Sequence, residues 1–336
     1  MLTRFDSISK MIFLFALLFG PSDGSLADVL SFRKCTKVNG VAEACNLHLN
    51  YFTLAGTHNS GSGAYGLMYW YSGVLAPSCM VRNQDKSITQ QLELGIRYFD
   101  FDLAHISESS GDWWEEGLVL VHCNDNIGCA YSRSLKRALL EIEDFLGRNQ
   151  DEIVLLRFKD HAETSREYIR QHLADEVLSI FQSSNKVKIN PDPNPRLGDA
   201  IERNQRLLVH TNGGYWMRSP FNSLRQVESY RGAGGTSSCF SVQEIMDAFK
   251  SDSYRVKDDR FPVQVDWYFN SGLCLWDLAG LCDGTELHKL VEINKRLVGE
   301  ARRPINLVMI DYAGKGNVRV SDIVREINEY NVKLFT

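Results

Sequence analysis

Two histidines stand where short apolar runs end: His58 in Ala55-Gly56-Thr57-His58-Asn59-Ser60 and His122 in Val119-Leu120-Val121-His122-Cys123. Imidazole titrates nearest neutrality, so a pair at neighbouring strand ends can serve as general base and general acid, whereas each alone is more often a structural histidine. Asp100 and Asp102 lie two apart in an alternating, strand-like segment, 95–102, and therefore face one side. Arg157 and Lys159 repeat that spacing with cations on a second strand. Inward-facing carboxylates are costly unless cations or a metal match them. Two readings stay open for these four residues: an internal ion-pair cluster, or a site that handles an anion or a metal. His105, His161, His172 and His288 sit in no comparable setting and receive no role.

Such residues need a scaffold that gathers strand ends. Apolar runs at 51–55, 95–102, 118–121, 152–158, 206–210, 263–267 and 305–310 read as strands. Segment 134–149 carries apolar residues at helical spacing, and 166–181, 286–300 and 320–330 also read as helical. Strand alternating with helix predicts a parallel sheet. Polar residues collect at the C-terminal ends of these runs: His58-Asn59, Asp100 and Asp102, His122, Lys159-Asp160, Asp266 and Asp311. In a parallel barrel those ends meet at one mouth. An open doubly wound sheet is the alternative; it would usually carry a Gly-rich phosphate loop, and Gly56-Thr57-His58-Asn59-Ser60-Gly61 is not one.

The composition suits a globular chain with a large core: 336 residues, 44% hydrophobic and 11% aromatic. With 37 basic against 42 acidic residues, there is no basic excess for general nucleic-acid binding. Residues 11–20 are apolar, Arg4 and Lys10 precede them, and Ser25-Leu26-Ala27 follows. That pattern predicts a secretory signal over 1–27 and a single domain over 28–336, with no membrane-spanning segment and a secreted product. Eight cysteines in an exported chain predict disulfides. Cys35/Cys45, Cys123/Cys129 and Cys274/Cys282 are each close in sequence, while the pairing stays open.

The segments 56–60, 95–102, Val121-His122 and 152–161 together resemble the X-domain of phosphatidylinositol-specific phospholipase C, in that family's order and approximate spacing. Met309-Ile310-Asp311-Tyr312 extends the likeness, which covers roughly 48–312. The resemblance implies an α/β fold, a distorted TIM-type (β/α) barrel in one domain. It implies cleavage of a phosphodiester by the inositol 2-hydroxyl of the substrate itself. His58 is then the expected general base, His122 the general acid, and Asp311 the group that orients His58. Asn59, Asp100 and Asp102 match calcium ligands of the animal signalling enzymes, so Ca²⁺ is an expected cofactor. The position of the fourth animal ligand, a glutamate, falls at Lys159; a lysine there resembles the bacterial pattern and would repel a cation, and Asp160 replaces it only if the strand shifts by one residue. The competing expectation is that Lys159 and Arg157 neutralise the carboxylates or the phosphate without metal. Lys159, Arg157, His210, Asp266 and Tyr268 are expected around the head group of a phospholipid or glycosylphosphatidylinositol-like substrate at a membrane surface. Met68-Tyr69-Trp70-Tyr71 is either a rim loop that meets lipid or a covered loop helix. A catalytically silent module binding a lipid head group or a protein, and a phosphodiesterase for a non-inositol substrate, are the rival readings.

Overall fold

Alternating apolar runs and amphipathic stretches build a mixed α/β architecture. The computed structural model describes residues 34–70, 73–77, 81–107, 116–124, 128–160, 166–212, 222–224, 228–231, 242–250, 263–267, 287–314 and 319–336. All fall in one unit, Lys34–Thr336. The expected signal over 1–27, Cys79, Cys239, Cys274, Cys282, His161 and Tyr268 lie outside the described residues.

Short β1 (Lys37–Val38) and β2 (Val41–Ala42) form a separate hairpin. The strands β3 (Leu54–Thr57), β5 (Tyr98–Ile106), β8 (Val154–Asp160), β9 (Leu207–Asn212), β10 (Asn222–Leu224), β11 (Glu228–Arg231), β12 (Val263–Trp267) and β13 (Leu307–Ile310) belong to one sheet. Their order is β10-β9-β8-β5-β3-β13-β12-β11, parallel throughout. Between them run α1 (Ile88–Glu93), α2 (Leu135–Arg148), α3 (Arg166–Phe181), α4 (Leu197–Glu202), α5 (Val242–Lys250) and α6 (Lys289–Ala301), with α7 (Val320–Phe335) last. Helix α2 buries Leu135, Ala138, Leu139, Ile142, Phe145 and Leu146, one stripe at i, i+3, i+4 spacing. Helix α1 is shorter than a periodicity window; Ser87 starts it through a capping box with Gln90. Among the described residues no helix is long and apolar enough to cross a membrane.

Both faces of the sheet are covered, which is why β5 is almost wholly buried. Phe99, Phe101 and Leu103 join the helix-side core. Tyr98, Leu54, Leu155, Leu208, Leu307 and Met309 form a second core with Val38, Val41, Leu47 and Phe52 of the N-terminal segment. The Cys35–Cys45 disulfide ties that segment together. The sheet curls around this inner face. Strands β8 and β12 are four places apart in the order, about 19 Å in a flat sheet at ~4.8 Å per strand. Yet Arg157 Nη1 on β8 and Gln264 Oε1 on β12 stand 3.5 Å apart, and Tyr98 Oη donates to the same oxygen at 3.0 Å. Among the described residues no ladder joins β10 to β11.

Strand β5 outruns the parallel sheet. Tyr98 to Leu103 pair in parallel with β8. Leu103 to Ile106 pair antiparallel with β6 (Gly117–Asn124), which pairs in turn with β7 (Gly128–Ser134). The Cys123–Cys129 disulfide closes that hairpin. The tiny strand β4 (Tyr69–Trp70) lies along β7. This corrects one expectation: His122 does not end a strand of the parallel sheet but sits within β6 of an antiparallel arm.

Candidate active site

The turn after β3 carries the first histidine. His58 N donates to Ile310 O of β13 at 2.9 Å, so the turn opens beside Asp311. Asn59 adopts φ +43°, the left-handed region that asparagine tolerates better than most residues. Ser60 then clamps the turn to β5: its N donates to Asp100 O at 2.8 Å, and its Oγ accepts from Asp100 N at 2.9 Å. Gln91 of α1 accepts from Thr57 Oγ1 at 2.8 Å and donates to Ser60 O at 3.0 Å. The result aims His58 Nδ1 at Asp311 Oδ1, 3.2 Å away, with the carboxylate almost fully buried. A carboxylate on Nδ1 holds the proton there and leaves Nε2 as the basic nitrogen.

His122 is held by a different partner. Its Nδ1 donates to the Val81 carbonyl at 3.0 Å, which again assigns Nε2 to proton exchange. Burial pushes its pKa below the usual histidine value; the Val81 carbonyl offsets part of this, and positive charge at His58 lowers it further.

Asp100, Asp102, Arg157 and Lys159 meet, because Asp100 pairs in register with Arg157 and Asp102 with Lys159. Lys159 Nζ stands 2.7 Å from Asp100 Oδ2 and 3.1 Å from Asp102 Oδ1. Arg157 Nη1 is 3.9 Å from Asp100 Oδ1 and 3.4 Å from Tyr98 Oη. Burial alone would discharge Lys159, but Asp100 and Asp102 outweigh it and raise its pKa, so the ammonium stays charged. Asn59 Oδ1 is buried without a hydrogen-bond partner, an oxygen a hard cation would accept. The same carboxylates, however, already hold an ammonium. Among the described residues no three His, Cys, Asp or Glu side chains group as metal ligands. A divalent ion bound by Asp100 and Asp102 would have to displace the Lys159 ammonium from them.

The remaining expected residues lie around Arg157: His210 pairs with it in register, and Asp266 shares its partner Gln264. His210 is buried, with neither ring nitrogen hydrogen-bonded, and burial next to Arg157 pushes its pKa down to about 3. It borders a cavity of about 30 Å³ with Leu49, Asn50, Phe52, Leu54 and Leu155, on the side closed by the N-terminal segment. Asp266 is buried and accepts from Gln264 Nε2 at 2.5 Å. Of the candidate rim loop, Tyr71 lies outside the described residues. Met68 is buried, and Tyr69 and Trp70 are half-buried in β4. The exposed residues are its neighbours, Leu67 at 55%, Val74 at 61% and Leu75 at 50%.

Sequence reading misses the segment 81–84. Asn83 Nδ2 donates to Asp311 Oδ1 at 3.2 Å and lies 3.3 Å from His58 Nδ1. Gln84 Nε2 donates to the carbonyls of His58 at 3.0 Å and Ile310 at 3.3 Å. No apolar period marks this stretch; an amide pair before the Ser87 cap is its only local signal.

Against this geometry, the family model PI-PLC X 1 matches residues 45–217. The chain belongs to the PI-PLC X-domain family. Solved structures agree on the fold. A phosphatidylinositol-specific phospholipase C of S. aureus is 14% identical, with a TM-score of 0.55 over 87% of this chain and 98% of that one. The Listeria monocytogenes enzyme is 15% identical, with a TM-score of 0.51 over 89% of this chain and 98% of that one. No curated protein matches by sequence.

Proposed function

We propose that the chain is an exported phosphodiesterase of the phosphatidylinositol phospholipase C type, built on a distorted TIM-type barrel. The observation that carries this is the pair of histidines, each with Nδ1 anchored, His58 on Asp311 and His122 on Val81 O, two residues from Asn83, which meets His58. An internal nucleophile needs positioning, two proton transfers and a counter-charge, not an enzyme nucleophile. The inositol 2-hydroxyl attacks phosphorus while His58 Nε2 takes its proton. The bond from phosphorus to the glycerol oxygen breaks, and His122 Nε2 delivers a proton to that oxygen. The products are a cyclic inositol phosphate and diacylglycerol. Lys159, and Arg157 beside it, supply the positive charge for which Ca²⁺ is the other expectation. The Cys35–Cys45 and Cys123–Cys129 disulfides suit an oxidising compartment. The exposed tip Leu67, Val74 and Leu75 suits contact with a lipid surface.

The test is incubation with phosphatidylinositol vesicles, with chelator or Ca²⁺, beside His58→Ala and His122→Ala. Cyclic product formed in chelator and lost in both variants is expected. Turnover that requires Ca²⁺ overturns the lysine assignment. No turnover under any condition favours the silent, head-group-binding reading.

A further inference from the structure

We propose that Asn83 is a positioning residue for the His58–Asp311 dyad, the tip of a strap, 81–84, that sets base and acid at one spacing. This rests on the reading of His58 and His122 as that pair. The strap reaches both rings: Val81 O accepts from His122 Nδ1 at 3.0 Å, and two residues on, Asn83 meets Asp311 and His58. The orientation of the Asn83 amide follows from its neighbours. Its Oδ1 accepts from Asn59 Nδ2 at 3.5 Å, so Nδ2 faces the dyad. His58 Nδ1 carries its own proton, so the Asn83 Nδ2 hydrogen goes to Asp311 Oδ1. One carboxylate oxygen thus takes two donors, the ring and the amide, and cannot swing to follow either alone.

The main chain shows that this side chain is not needed to hold the strap down. Asn83 N donates to Ser62 Oγ at 3.2 Å, and Asn83 O accepts from Tyr312 N at 2.9 Å. Tyr312 Oη donates to Arg82 O, and Gln84 N donates to Ser62 O at 2.9 Å. Those bonds fix the backbone without the amide. Asn83 is 1% exposed, and its side-chain polar atoms go to Asn59 and the dyad. A buried amide spent on a histidine–carboxylate pair acts through that pair.

The experiment compares Asn83→Ser and Asn83→Leu in the intact chain, each also in an Asp311→Asn background. On phosphatidylinositol vesicles, kcat falls about 10- to 100-fold, as for other orienting partners of active-site groups, while KM stays within about twofold. In the Asp311→Asn background the same change costs less than about threefold, because the residue it acts through is already altered. Equal losses in both backgrounds would mean a structural role and would overturn the proposal. A second readout needs no turnover: the low-field proton resonance of His58 Nδ1, identified by its loss in His58→Ala. It shifts or broadens in Asn83→Ser; an unmoved resonance overturns the proposal. If wild-type protein cleaves nothing, the catalytic reading fails while this resonance still decides the positioning role. Should Asn83→Leu not fold, Asn83→Ser carries both measurements.

Discussion

A lysine ammonium between two buried carboxylates fixes the electrostatics of this site. Lys159→Met takes that charge away from both Asp100 and Asp102, leaving Arg157 at 3.9 Å from Asp100. Breaking one side of a buried ion pair typically costs ~3 kcal/mol or more, and a loss of that size in urea unfolding, together with lost turnover, is expected. A second residue-scale prediction concerns His210. Its folded pKa is depressed to about 3 from a usual value of 6.5. The unfolded chain therefore binds more protons between those values, and stability rises with pH across that window. The contribution is complete above 6.5 and is lost as the pH falls toward 3. His210→Leu should flatten the slope of unfolding free energy between pH 6.5 and pH 4; an unchanged slope would contradict the assignment. The residues that do chemistry are legible where spacing fixes direction: Asp100 with Asp102 and Arg157 with Lys159 each face one side because strands alternate. The place of His210 is not legible, because alternation says which face a side chain takes, not at which end of that face it lies. Asn83 is invisible in the sequence because its importance comes from partners 25 and 228 positions away.

The elements that place the histidines differ in kind. His58 ends a strand of the parallel sheet, whereas His122 rides an antiparallel hairpin that a disulfide closes. That disulfide spans a loop of 6 residues in sequence separation, short enough that chain entropy assigns it about 2 kcal/mol. Cys123→Ser with Cys129→Ser should lower the unfolding midpoint modestly but cut turnover more, since His122 is the adjacent residue; equal turnover would show that the arm needs no clasp. In β3, a Cβ at Gly56 would collide with the Tyr98 ring. Gly56→Ala should therefore cost about 1–3 kcal/mol by overpacking, measured by chemical unfolding. Strong periodicity makes α2, α6 and α7 and the central strands readable within a few residues. The shift of β5 from parallel to antiparallel pairing is not readable, because alternation is the same in both ladders. Helices α1 and α4, six residues each, are too short for a 3.6-residue period to declare itself.

At the scale of the whole molecule, the sheet must curl for the account to hold, since only a curled sheet brings Arg157 and Gln264 of distant strands to 3.5 Å. The exposed Leu67, Val74 and Leu75 lie on the connection that leaves His58. Replacing those three with serine should weaken sedimentation with phosphatidylinositol vesicles by about tenfold or more and leave thermal stability near wild type; undiminished vesicle binding would remove the tip from the lipid contact. Family and fold are legible together, because four motifs in order constrain both. The most direct test of the central claim follows the phosphorus itself. Phosphorus NMR of wild-type protein turning over phosphatidylinositol in chelator is predicted to show a cyclic inositol phosphodiester before any open-chain phosphate, and neither species with His58→Ala or His122→Ala. Open-chain phosphate formed first, or cyclic product undiminished in either variant, would contradict it.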